Sequence, residues 1–581
     1  MKKITLFAAT LTALLIVGCG GAQNETQTED PNLPKVKADQ IGYYVNSAKI
    51  AIIPEQGENE FEIFDVKDQK TVYTGKTSEP KQWEYSGTIV KTADFSDFKK
   101  QGIYVLKCKG AGTSYPFAIG EDIYNDLATK AIKSYYYARS GMEITTQHGG
   151  KYARPAAHPD DKILIHKSAV GPKRKEGDII SSPGGWYDAG DYNKYIVNSA
   201  ITVSELLTAD DYYHEYIEKL KTNIPESNNE LPDYIDEVLY NLRWMMTMQD
   251  PADGGVYHKL TALNFNGMIM PQDDHDQRYV VLKTTAATLD FCAIAIKASN
   301  VLRKYPTLES LCDSLEHQAK MAWNWAMKNK NILYRQPEDV KTGMYNDDVI
   351  SDERTWAALE FFTAQEDELA LEIIKKEDFI FAPPCWDSTS CLGIISLFNN
   401  KKACEFFERC DKELFDYIKN GFLNLADKLY TNYENSPYKT SLTVFPWGSN
   451  SECANQGIVL LTAYRLTGNT KYLEAAQGNL HYILGRNPLD YCMVTGFGFN
   501  GVKNIHDRRA VADSIEAPVP GLLCGGPFAN AGDDCGADKY PDKHPAMRYF
   551  DNPASYSTNE IAINWNAALC ALVIGIEYEQ K

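Results

Sequence analysis

Positive charge is scarce in this sequence relative to negative charge. Its 581 residues include 59 Lys and Arg against 78 Asp and Glu, which gives a formal net charge of −19 at pH 7. Such a chain repels the phosphate backbone of a nucleic acid, so we expect no nucleic-acid partner. A neutral polymer is not repelled by this charge, and the composition therefore leaves uncharged substrates open.

Pairs of the CxxC type are absent among the 13 cysteines. The shortest spacing is six residues, between Cys385 and Cys391 and between Cys404 and Cys410. The sequence thus offers no zinc-knuckle or redox motif of this type. Most of the cysteines are expected to be small buried residues in helices, and the spacing predicts no disulfide pairing.

The apolar run at the N-terminus is too short to span a bilayer comfortably. Two lysines precede this run at residues 4–17, a pattern typical of an export signal. The run ends in the letters IVGC at residues 16–19, which resemble a bacterial lipobox, where cleavage precedes a cysteine that is then acylated. We therefore expect a signal peptide at 1–18, a lipidated Cys19 and a polar tether at 19–34. An ordinary secretory signal is the alternative.

The periodicity of the chain changes near residue 120. Between residues 35 and 120, short alternating runs separated by charged or glycine-containing turns predict strands, which suit a small β-sandwich. From residue 121 to 581, apolar residues recur at helical spacing, which predicts an all-α domain of packed helices. Helices are expected near residues 122–138, 196–208, 232–246, 282–303, 309–328, 352–363, 410–430, 452–466, 470–484 and 560–577.

The segment GGWYDAGDY at residues 184–192 places two carboxylates, Asp188 and Asp191, three residues apart between aromatic rings. Its glycines make the middle of a regular helix improbable. Paired acids beside flat rings suit chemistry on sugars, where one carboxylate can activate a water. A calcium-binding loop or a simple turn is the alternative, because both are rich in Asp and Gly.

A second segment, YSTNEIAINWNA at residues 556–567, completes a pattern. Together the two segments closely resemble the signatures of glycoside hydrolase family 9, an inverting cellulase family with an (α/α)6 barrel. The resemblance spans residues 121–578 in the family's order. It continues in WGSNS at 447–451, LGRNP at 484–488, VTGFG at 494–498 and HDR at 506–508.

The resemblance also extends to the N-terminal domain and predicts the fold of both parts. The letters DQIGY at residues 39–43 resemble the start of the immunoglobulin-like module that precedes the catalytic domain in one branch of the family. We therefore expect an immunoglobulin-like β-sandwich at 35–120 followed by an (α/α)6 barrel at 121–581. A structural brace for the barrel is favoured over an independent sugar-binding module.

The family's roles imply that Asp191 is the general base, that Asp188 helps to hold the attacking water, and that Glu560 is the general acid. Inversion requires an acid and a base separated by roughly 6.5–9.5 Å, with the water between them. Thr558 or Asn559 can cap a helix beginning near Glu560, and a helix start favours an ionised carboxylate. Burial and the charge of the Asp pair would then have to raise the pKa of Glu560.

Several other residues match positions that line the family's cleft. His506 and Arg508 are implied hydrogen-bond donors to sugar hydroxyls, although Asp507 stands where many members carry a second histidine. A satisfied structural histidine is the alternative for His506. Candidate stacking surfaces, each of which can equally be a core residue, are Trp447, Tyr556 and Trp186.

Family members with this N-terminal module often carry a structural zinc held by two cysteines and two histidines. Ser140 and Ala157 stand at the cysteine positions, and only His158 of the set is present. One imidazole cannot hold such an ion, so zinc is not expected. Asp352 and Glu353 resemble an acidic pair that binds calcium in some members, with Asp387 as a third ligand. Acids at a helix start that need no metal are the alternative.

The resemblance implies an inverting endo-β-1,4-glucanase acting on cellulose-like or mixed-linkage β-glucan, with no required cofactor. The same mechanism on xyloglucan, or exo-action on glucose or glucosamine chain ends, is the alternative, and the long segment at residues 163–182 could favour exo-action. A non-catalytic glycan-binding protein and another helical-barrel sugar enzyme are further alternatives. We expect a monomer anchored through Cys19 at the outer membrane or cell surface, with the periplasmic face as an alternative.

Overall fold

The computed structural model describes residues 36–366 and 368–581. The expected signal peptide, the lipidated Cys19 and the polar tether lie outside these residues. The described residues belong to one unit from Lys35 to Lys581. They contain a β-sandwich and a helical barrel, so the expected fold class is confirmed.

The N-terminal β-sandwich consists of two sheets. One has the order β1-β9-β7-β3-β4, with β8 paired to β7, and the other has the order β2-β6-β5. In β3 the apolar Phe61 and Ile63 alternate with exposed glutamates, because successive side chains of a strand point to opposite faces. The strands are β1 Gly42–Tyr44, β2 Ile50–Pro54, β3 Glu60–Asp65, β4 Lys70–Lys76, β5 Lys81–Gln82, β6 Ile89–Asp94, β7 Gly102–Cys108, β8 Gly112–Thr113 and β9 Phe117–Gly120.

Strand β2 is buried on both faces, which explains its continuous apolar sequence. Ala51 and Ile53 join the core of the sandwich, whereas Ile50 and Ile52 join the core of the barrel. Polar contacts strengthen the same junction, because Asp39 Oδ2 lies 2.8 Å from Nδ1 of His481 in the barrel. The sandwich therefore packs directly onto the barrel, as a brace would.

Sixteen helices are found in the described part of the remaining chain. They are α1 Asn125–Ala138, α2 Thr146–Gly149, α3 Ile196–Ile217, α4 Asp233–Thr247, α5 Thr285–Val301, α6 Glu309–Lys328, α7 Ser351–Gln365, α8 Glu368–Ile374, α9 Ser390–Asn399, α10 Lys401–Cys410, α11 Lys412–Asn435, α12 Ser449–Thr467, α13 Thr470–Ile483, α14 Arg508–Ala512, α15 Tyr556–Asn559 and α16 Ile563–Glu579. Helices α8, α9 and α10 were not predicted from the sequence.

Six of these helices form a closed inner ring. In order around the ring, α3, α5, α7, α9, α12 and α16 each pack against the next, and α16 packs against α3. They are buried on almost every side, so their sequences are apolar all round rather than striped. The window from Thr285 to Lys304 is even apolar enough to cross a membrane, but 94% of it is buried inside the protein.

A small sheet interrupts the helical domain, and the expectation of a purely helical domain is wrong in this respect. Its strands follow the order β11-β10-β14-β13-β12. Each has only two or three residues, too few for an alternating pattern to stand out in the sequence. They are β10 Ile163–Ile165, β11 Ile179–Ile180, β12 Lys194–Tyr195, β13 Lys259–Thr261 and β14 Tyr279–Val280. Strand β12 links the Asp pair directly to α3.

Candidate active site

The loop that carries the Asp pair is shaped by glycine. Gly190 lies between the two aspartates, where a Cβ atom would come within 2.4 Å of the His506 carbonyl oxygen and 3.2 Å of Glu560 Oε1. Only a residue without a side chain allows this approach. The first signature segment thus packs directly against the HDR segment and against Glu560.

Glu560 lies in an extended link between α15 and α16, with φ −70° and ψ 160°. The expectation that it starts a helix capped by Thr558 or Asn559 is wrong. Backbone hydrogen bonds fix the link instead, because Gly525 N donates to the Glu560 carbonyl over 2.8 Å and His506 N donates to the Asn559 carbonyl over 2.9 Å. Glu560 therefore lies before the start of α16 at Ile563 and not in its first turn, so the sequence-based argument for an ionised carboxylate does not apply.

Asp188 is only 2% exposed and is held by two donors. The side-chain amide of Asn198 donates to its Oδ1, and the Tyr345 hydroxyl donates to its Oδ2 over 2.7 Å. The Ile563 backbone N–H donates to its carbonyl over 2.9 Å, which ties the loop to the start of α16. Burial, and secondarily the charge of Asp191, raise the pKa of Asp188 to about 8.

Asp191 is 6% exposed and is held in a similar way. The Asn193 side-chain amide and the Tyr195 hydroxyl both donate to its Oδ2, the latter over 3.1 Å. Both donors follow Asp191 within four residues, so the turn into β12 creates the site locally. One oxygen of Asp191 is thereby anchored, and a water can be contacted by the other.

Burial raises the pKa of Glu560 well above its usual range, and the charges of Asp191 and Asp188 add to the effect. Part of the residue still reaches solvent. A carboxyl group in this setting stays protonated at neutral pH and can donate a proton. We call Asp188, Asp191 and Glu560 the acid triad. The arrangement can supply an acid that holds its proton and two aspartates oriented by hydrogen-bond donors.

His506 and Arg508 lie beside the acid triad, but their visible partners are backbone atoms. His506 Nδ1 lies 2.6 Å from the Pro553 carbonyl oxygen, and burial lowers the pKa of the ring. Arg508 donates from Nη1 to the Gly190 carbonyl over 2.7 Å and from Nε to the Asn266 carbonyl over 3.0 Å. These contacts position the loop between the aspartates, and the expected contacts with sugar stay a prediction.

The three candidate stacking residues separate into two classes. Trp447 is 45% exposed, and its ring centroid lies 5.5 Å from that of Tyr556, so the two form one aromatic surface. Tyr556 in turn contacts His506 at 5.8 Å between ring centroids. The assignment of Trp186 as a stacking surface is wrong, because it is fully buried and its Nε1 donates to Glu237.

Comparison with known proteins decides the family. The family model "Glycosyl hydrolase family 9" matches residues 124–573, and the model "Cellulase N-terminal ig-like domain" matches residues 32–113. The chain belongs to glycosyl hydrolase family 9. It is therefore a glycoside hydrolase of an inverting family, with an immunoglobulin-like domain before its barrel.

Curated relatives cover nearly the whole family 9 chain. The xyloglucan-specific endo-beta-1,4-glucanase of Bacteroides ovatus is 40% identical over 556 residues, which are 93% of each chain. Endoglucanase D of Acetivibrio thermocellus is 32% identical over 93% of this chain and 83% of its own length. A solved Bacteroides ovatus family 9 structure has a TM-score of 0.87 and 38% identity, covering 94% of this chain and 99% of its own.

An ion pair lies near His158, the one residue of the expected zinc set that the sequence retains. Lys194 Nζ lies 2.6 Å from Asp160 Oδ2 and donates to the Gly184 carbonyl over 2.6 Å. His158 uses both ring nitrogens on protein partners, Tyr187 at 2.7 Å and Asp274 at 3.0 Å. The chemistry of these residues does not fit a zinc site, and the absence of zinc stays a prediction.

The expected calcium ligands are brought together in part. Asp352 and Glu353 are fully buried and lie with Asp347 in a group whose ligand oxygens are within 4.8 Å of one another. Asp387 is not a member of this group, in which Asp347 lies beside the pair, but its charge acts on Asp347 and its role as a further ligand stays a prediction. We call Asp347, Asp352 and Glu353 the acidic cluster.

The acidic cluster has oxygens that no protein donor satisfies. In the described part of the chain, no amide, hydroxyl or ammonium group donates to either carboxyl oxygen of Glu353 or to Oδ1 of Asp352, and the carboxyl group of Glu353 contacts the carboxyl groups of Asp347 and Asp352. Burial raises the pKa of all three residues, and neighbouring carboxylates contribute to the rise for Glu353. Hard oxygen ligands of this kind fit calcium, because a divalent cation would satisfy both the charge and the free lone pairs.

Sequence reasoning missed the residues that hold the Asp pair from a distance. Asn198 lies in α3, and Tyr345 lies in the irregular segment before α7, where the sequence shows no motif. Tyr345 has φ +46°, a left-handed conformation that is uncommon for a tyrosine. The one sequence feature that could have drawn attention to Tyr345 is its position close to Asp347 and shortly before the predicted acidic pair.

Proposed function

We propose that this family 9 chain is an endo-acting β-1,4-glucanase that cleaves internal linkages of a neutral β-glucan with inversion. The observation that carries the proposal is the packing of Glu560 against the Asp188–Asp191 loop through Gly190. This packing supports the action of Glu560 as an acid beside the two anchored aspartates.

In the proposed mechanism, one water attacks the anomeric carbon while the glycosidic bond breaks. Asp191 accepts a proton from this water, and Asp188 accepts a hydrogen bond that orients it. Glu560 donates its proton to the leaving oxygen, so that each product ends with a hydroxyl group. The raised pKa of Glu560 supports the role of acid, because the proton must be in place before the bond breaks.

Two observations bear on the substrate. The surface formed by Trp447 and Tyr556 provides flat apolar faces suited to the faces of β-linked sugar rings. The named relatives include both endoglucanases and a xyloglucan-specific endo-beta-1,4-glucanase, the latter at 40% identity. Cellulose-like or mixed-linkage glucan is the first proposed substrate, and xyloglucan is a second candidate that this relative favours.

The test compares polymer viscosity with new reducing ends on carboxymethylcellulose, mixed-linkage glucan and xyloglucan. An endo-enzyme lowers viscosity steeply with few new ends, and Glu560→Gln should abolish both effects. Proton NMR during the first turnovers should show the α-anomer of the new end before mutarotation. Release of monomers without loss of viscosity would replace the endo assignment with exo-action, and binding without cleavage would contradict catalysis by this chain.

We also propose that the acidic cluster holds a structural calcium ion. The bound ion would supply only charge neutralisation at the start of α7, through the side chains of Asp347, Asp352 and Glu353. The unsatisfied buried oxygens support this proposal, because such atoms are costly when they have no partner. No catalytic step depends on the ion, and a cofactor is not required.

A lipid anchor at Cys19 is a further proposal, supported by the IVGC letters at residues 16–19 and the polar stretch that follows. A monomeric state is proposed as well. The protein would then act in the cell envelope, at the outer membrane or cell surface, with the periplasmic face as an alternative. Metabolic labelling with a clickable fatty acid tests the anchor. Label that persists in Cys19→Ala would refute it, and surface proteolysis of intact cells distinguishes the two membrane faces.

A further inference from the structure

Lys259 is a fully buried lysine in β13 whose hydrogen-bond partners are all neutral. Its Nζ donates to the Gly343 carbonyl over 2.6 Å, to Thr342 Oγ1 over 3.0 Å and to Gln336 Oε1 over 3.2 Å. Among the residues that the structure describes, no carboxylate lies within ion-pair distance of this ammonium group. A buried charge without a partner is costly, and its retention calls for a reason beyond packing.

The first link from Lys259 to the acid triad runs through Tyr195. The two residues are paired across β12 and β13, and Lys259 Nζ lies 5.5 Å from the centre of the Tyr195 ring. An ammonium group near an aromatic ring is attracted to its face. The hydroxyl at the far end of that ring donates to Asp191 over 3.1 Å, so Lys259 lies behind a donor to the proposed base.

The second link runs through Tyr345. Lys259 fixes the Gly343 carbonyl, and the neighbouring His258 Nε2 lies 2.9 Å from the Met344 carbonyl oxygen. These contacts hold the segment immediately before Tyr345, whose backbone is left-handed and would otherwise relax. The Tyr345 hydroxyl donates to Asp188, so the same lysine also lies behind a donor to the second aspartate.

We propose that Lys259 is a positioning residue for glycoside hydrolysis, which orients Tyr195 and Tyr345 toward the Asp pair and places a positive charge near Asp191. The inference deepens the proposed function and rests on the roles assigned there to Asp188 and Asp191. Lys259 contacts neither substrate nor reacting atoms. It acts through the two tyrosines and through the electric field of its charge.

Burial lowers the pKa of Lys259 to about 7, while the charge of Asp191 acts in the opposite direction. The ammonium form therefore predominates below neutral pH, which is the range of the acidic limb of the pH profile. The titratable and charged groups that face this region from the surrounding elements are Asp188, Asp191, Glu560, Tyr195, Tyr334, Tyr345, His258, His506 and Arg508.

The test measures kcat, KM and the pH profile of kcat/KM for Lys259→Met and Lys259→Gln. Methionine removes both the charge and the hydrogen bonds, whereas glutamine retains a donor toward Gly343 without the charge. Both variants should lose about 10-fold or more in kcat with KM changed by less than about 3-fold. Loss of a nearby positive charge raises the pKa of a carboxyl group. The acidic limb of the kcat/KM profile should therefore move to higher pH by about one unit.

Lys297→Met is the matched control, because Lys297 is also a buried lysine of the barrel but forms an ion pair with Glu360. It should lower the melting temperature without moving the acidic limb. Folded Lys259 variants with an unchanged limb and kcat would overturn the inference and leave Lys259 a purely structural residue. Should Lys259→Met not fold, Lys259→Gln decides alone.

Asp191→Asn separates this inference from the proposed function. If Asp191→Asn is inactive and the Lys259 variants behave like the unaltered enzyme, only the inference fails. If Asp191→Asn keeps its activity, the assigned roles fail and the inference falls with them. A shifted acidic limb in the Lys259 variants together with an inactive Asp191→Asn supports both.

Discussion

The acid triad and the acidic cluster each bring three carboxyl groups together, but the two sites differ in their hydrogen-bond donors. Side-chain amides and tyrosine hydroxyls donate to both aspartates of the acid triad. In the acidic cluster, no amide, hydroxyl or ammonium group of the described residues donates to either oxygen of Glu353. Donors hold carboxylates in place for proton transfer, whereas free lone pairs leave them available to a cation. The two sites contain the same kinds of carboxyl groups, so the hydrogen-bond donors around these groups are what distinguishes a catalytic site from a cation site.

The largest effect should come from removing the acid or the base of the acid triad. Glu560→Gln and Asp191→Asn should each lower kcat by about 10³-fold with little change in KM, because proton transfer is lost while binding remains. Initial rates of reducing-end release check this. The matched control is Glu360→Gln, which alters a buried glutamate elsewhere in the inner ring and should keep kcat within about 2-fold. More than a tenth of the original kcat in Glu560→Gln would contradict its role.

The acidic cluster should instead respond to metal and pH through stability. Its carboxyl groups have raised pKa values in the folded state, so the folded protein binds more protons than the unfolded chain above pH 4. Without metal, the free energy of unfolding should therefore fall as pH rises above that value.

Calcium at about 100 times its Kd should restore about 2.7 kcal/mol of stability at neutral pH, seen as a higher melting temperature. Differential scanning fluorimetry in chelator and in added calcium measures the change. Asp352→Asn should reduce the response to calcium. A calcium response of the same size in this variant would place the ion elsewhere, and no response in the unaltered protein would refute the site.

A smaller effect should follow from removing one donor to the acid triad. Tyr345→Phe deletes only the hydroxyl that donates to Asp188, and a buried hydrogen bond contributes about 0.5–1.5 kcal/mol. We expect kcat to fall by about 2- to 10-fold. Tyr212→Phe, which removes a buried hydroxyl that donates to the Ile395 carbonyl, is the control and should leave kcat unchanged. If Tyr345→Phe and Tyr212→Phe have equal kcat values, Tyr345 has no positioning role.

The smallest effect on activity should come from Trp447, an aromatic residue outside both the acid triad and the acidic cluster. Trp447→Ala should raise KM about 3- to 10-fold, with a smaller change in kcat, because stacking on an aromatic ring stabilises binding by about 0.5–1.5 kcal/mol. Trp186→Phe should show the converse, a lower melting temperature with KM unchanged, since Trp186 is buried. An unchanged KM in Trp447→Ala would exclude this surface from the polymer path.

The sequence predicted the parts of the site that lie in short contiguous motifs. Asp188, Asp191 and Glu560 were all assigned roles from two segments, and the structure brings those segments together at Gly190. Tyr345 could not be found this way, because it contacts Asp188 across 157 positions of the chain and lies in a segment without a motif. Trp186 was misassigned since a tryptophan in a motif looks the same whether it faces a sugar or the core.

The prediction of secondary structure succeeded for long elements with many periodic apolar residues. It failed for elements of only a few residues. Long helices such as α6, predicted and found at residues 309–328, are fixed by their apolar stripe. The five strands beside the Asp pair have two or three residues each, and only pairing with distant partners makes them strands. The local cap pattern before Glu560 was likewise overridden, because backbone groups of distant segments bind the carbonyls of residues 559 and 560.

Strand β2 has a consequence for how this enzyme can be shortened. Its alternate side chains belong to two different cores, so neither the sandwich nor the barrel can lose its order without exposing apolar surface of the other. The two domains should therefore melt in a single calorimetric transition, although they look separable in the sequence. Deletion of the sandwich would expose the apolar surface of the barrel that β2 now covers. We expect the truncated enzyme to aggregate for this reason.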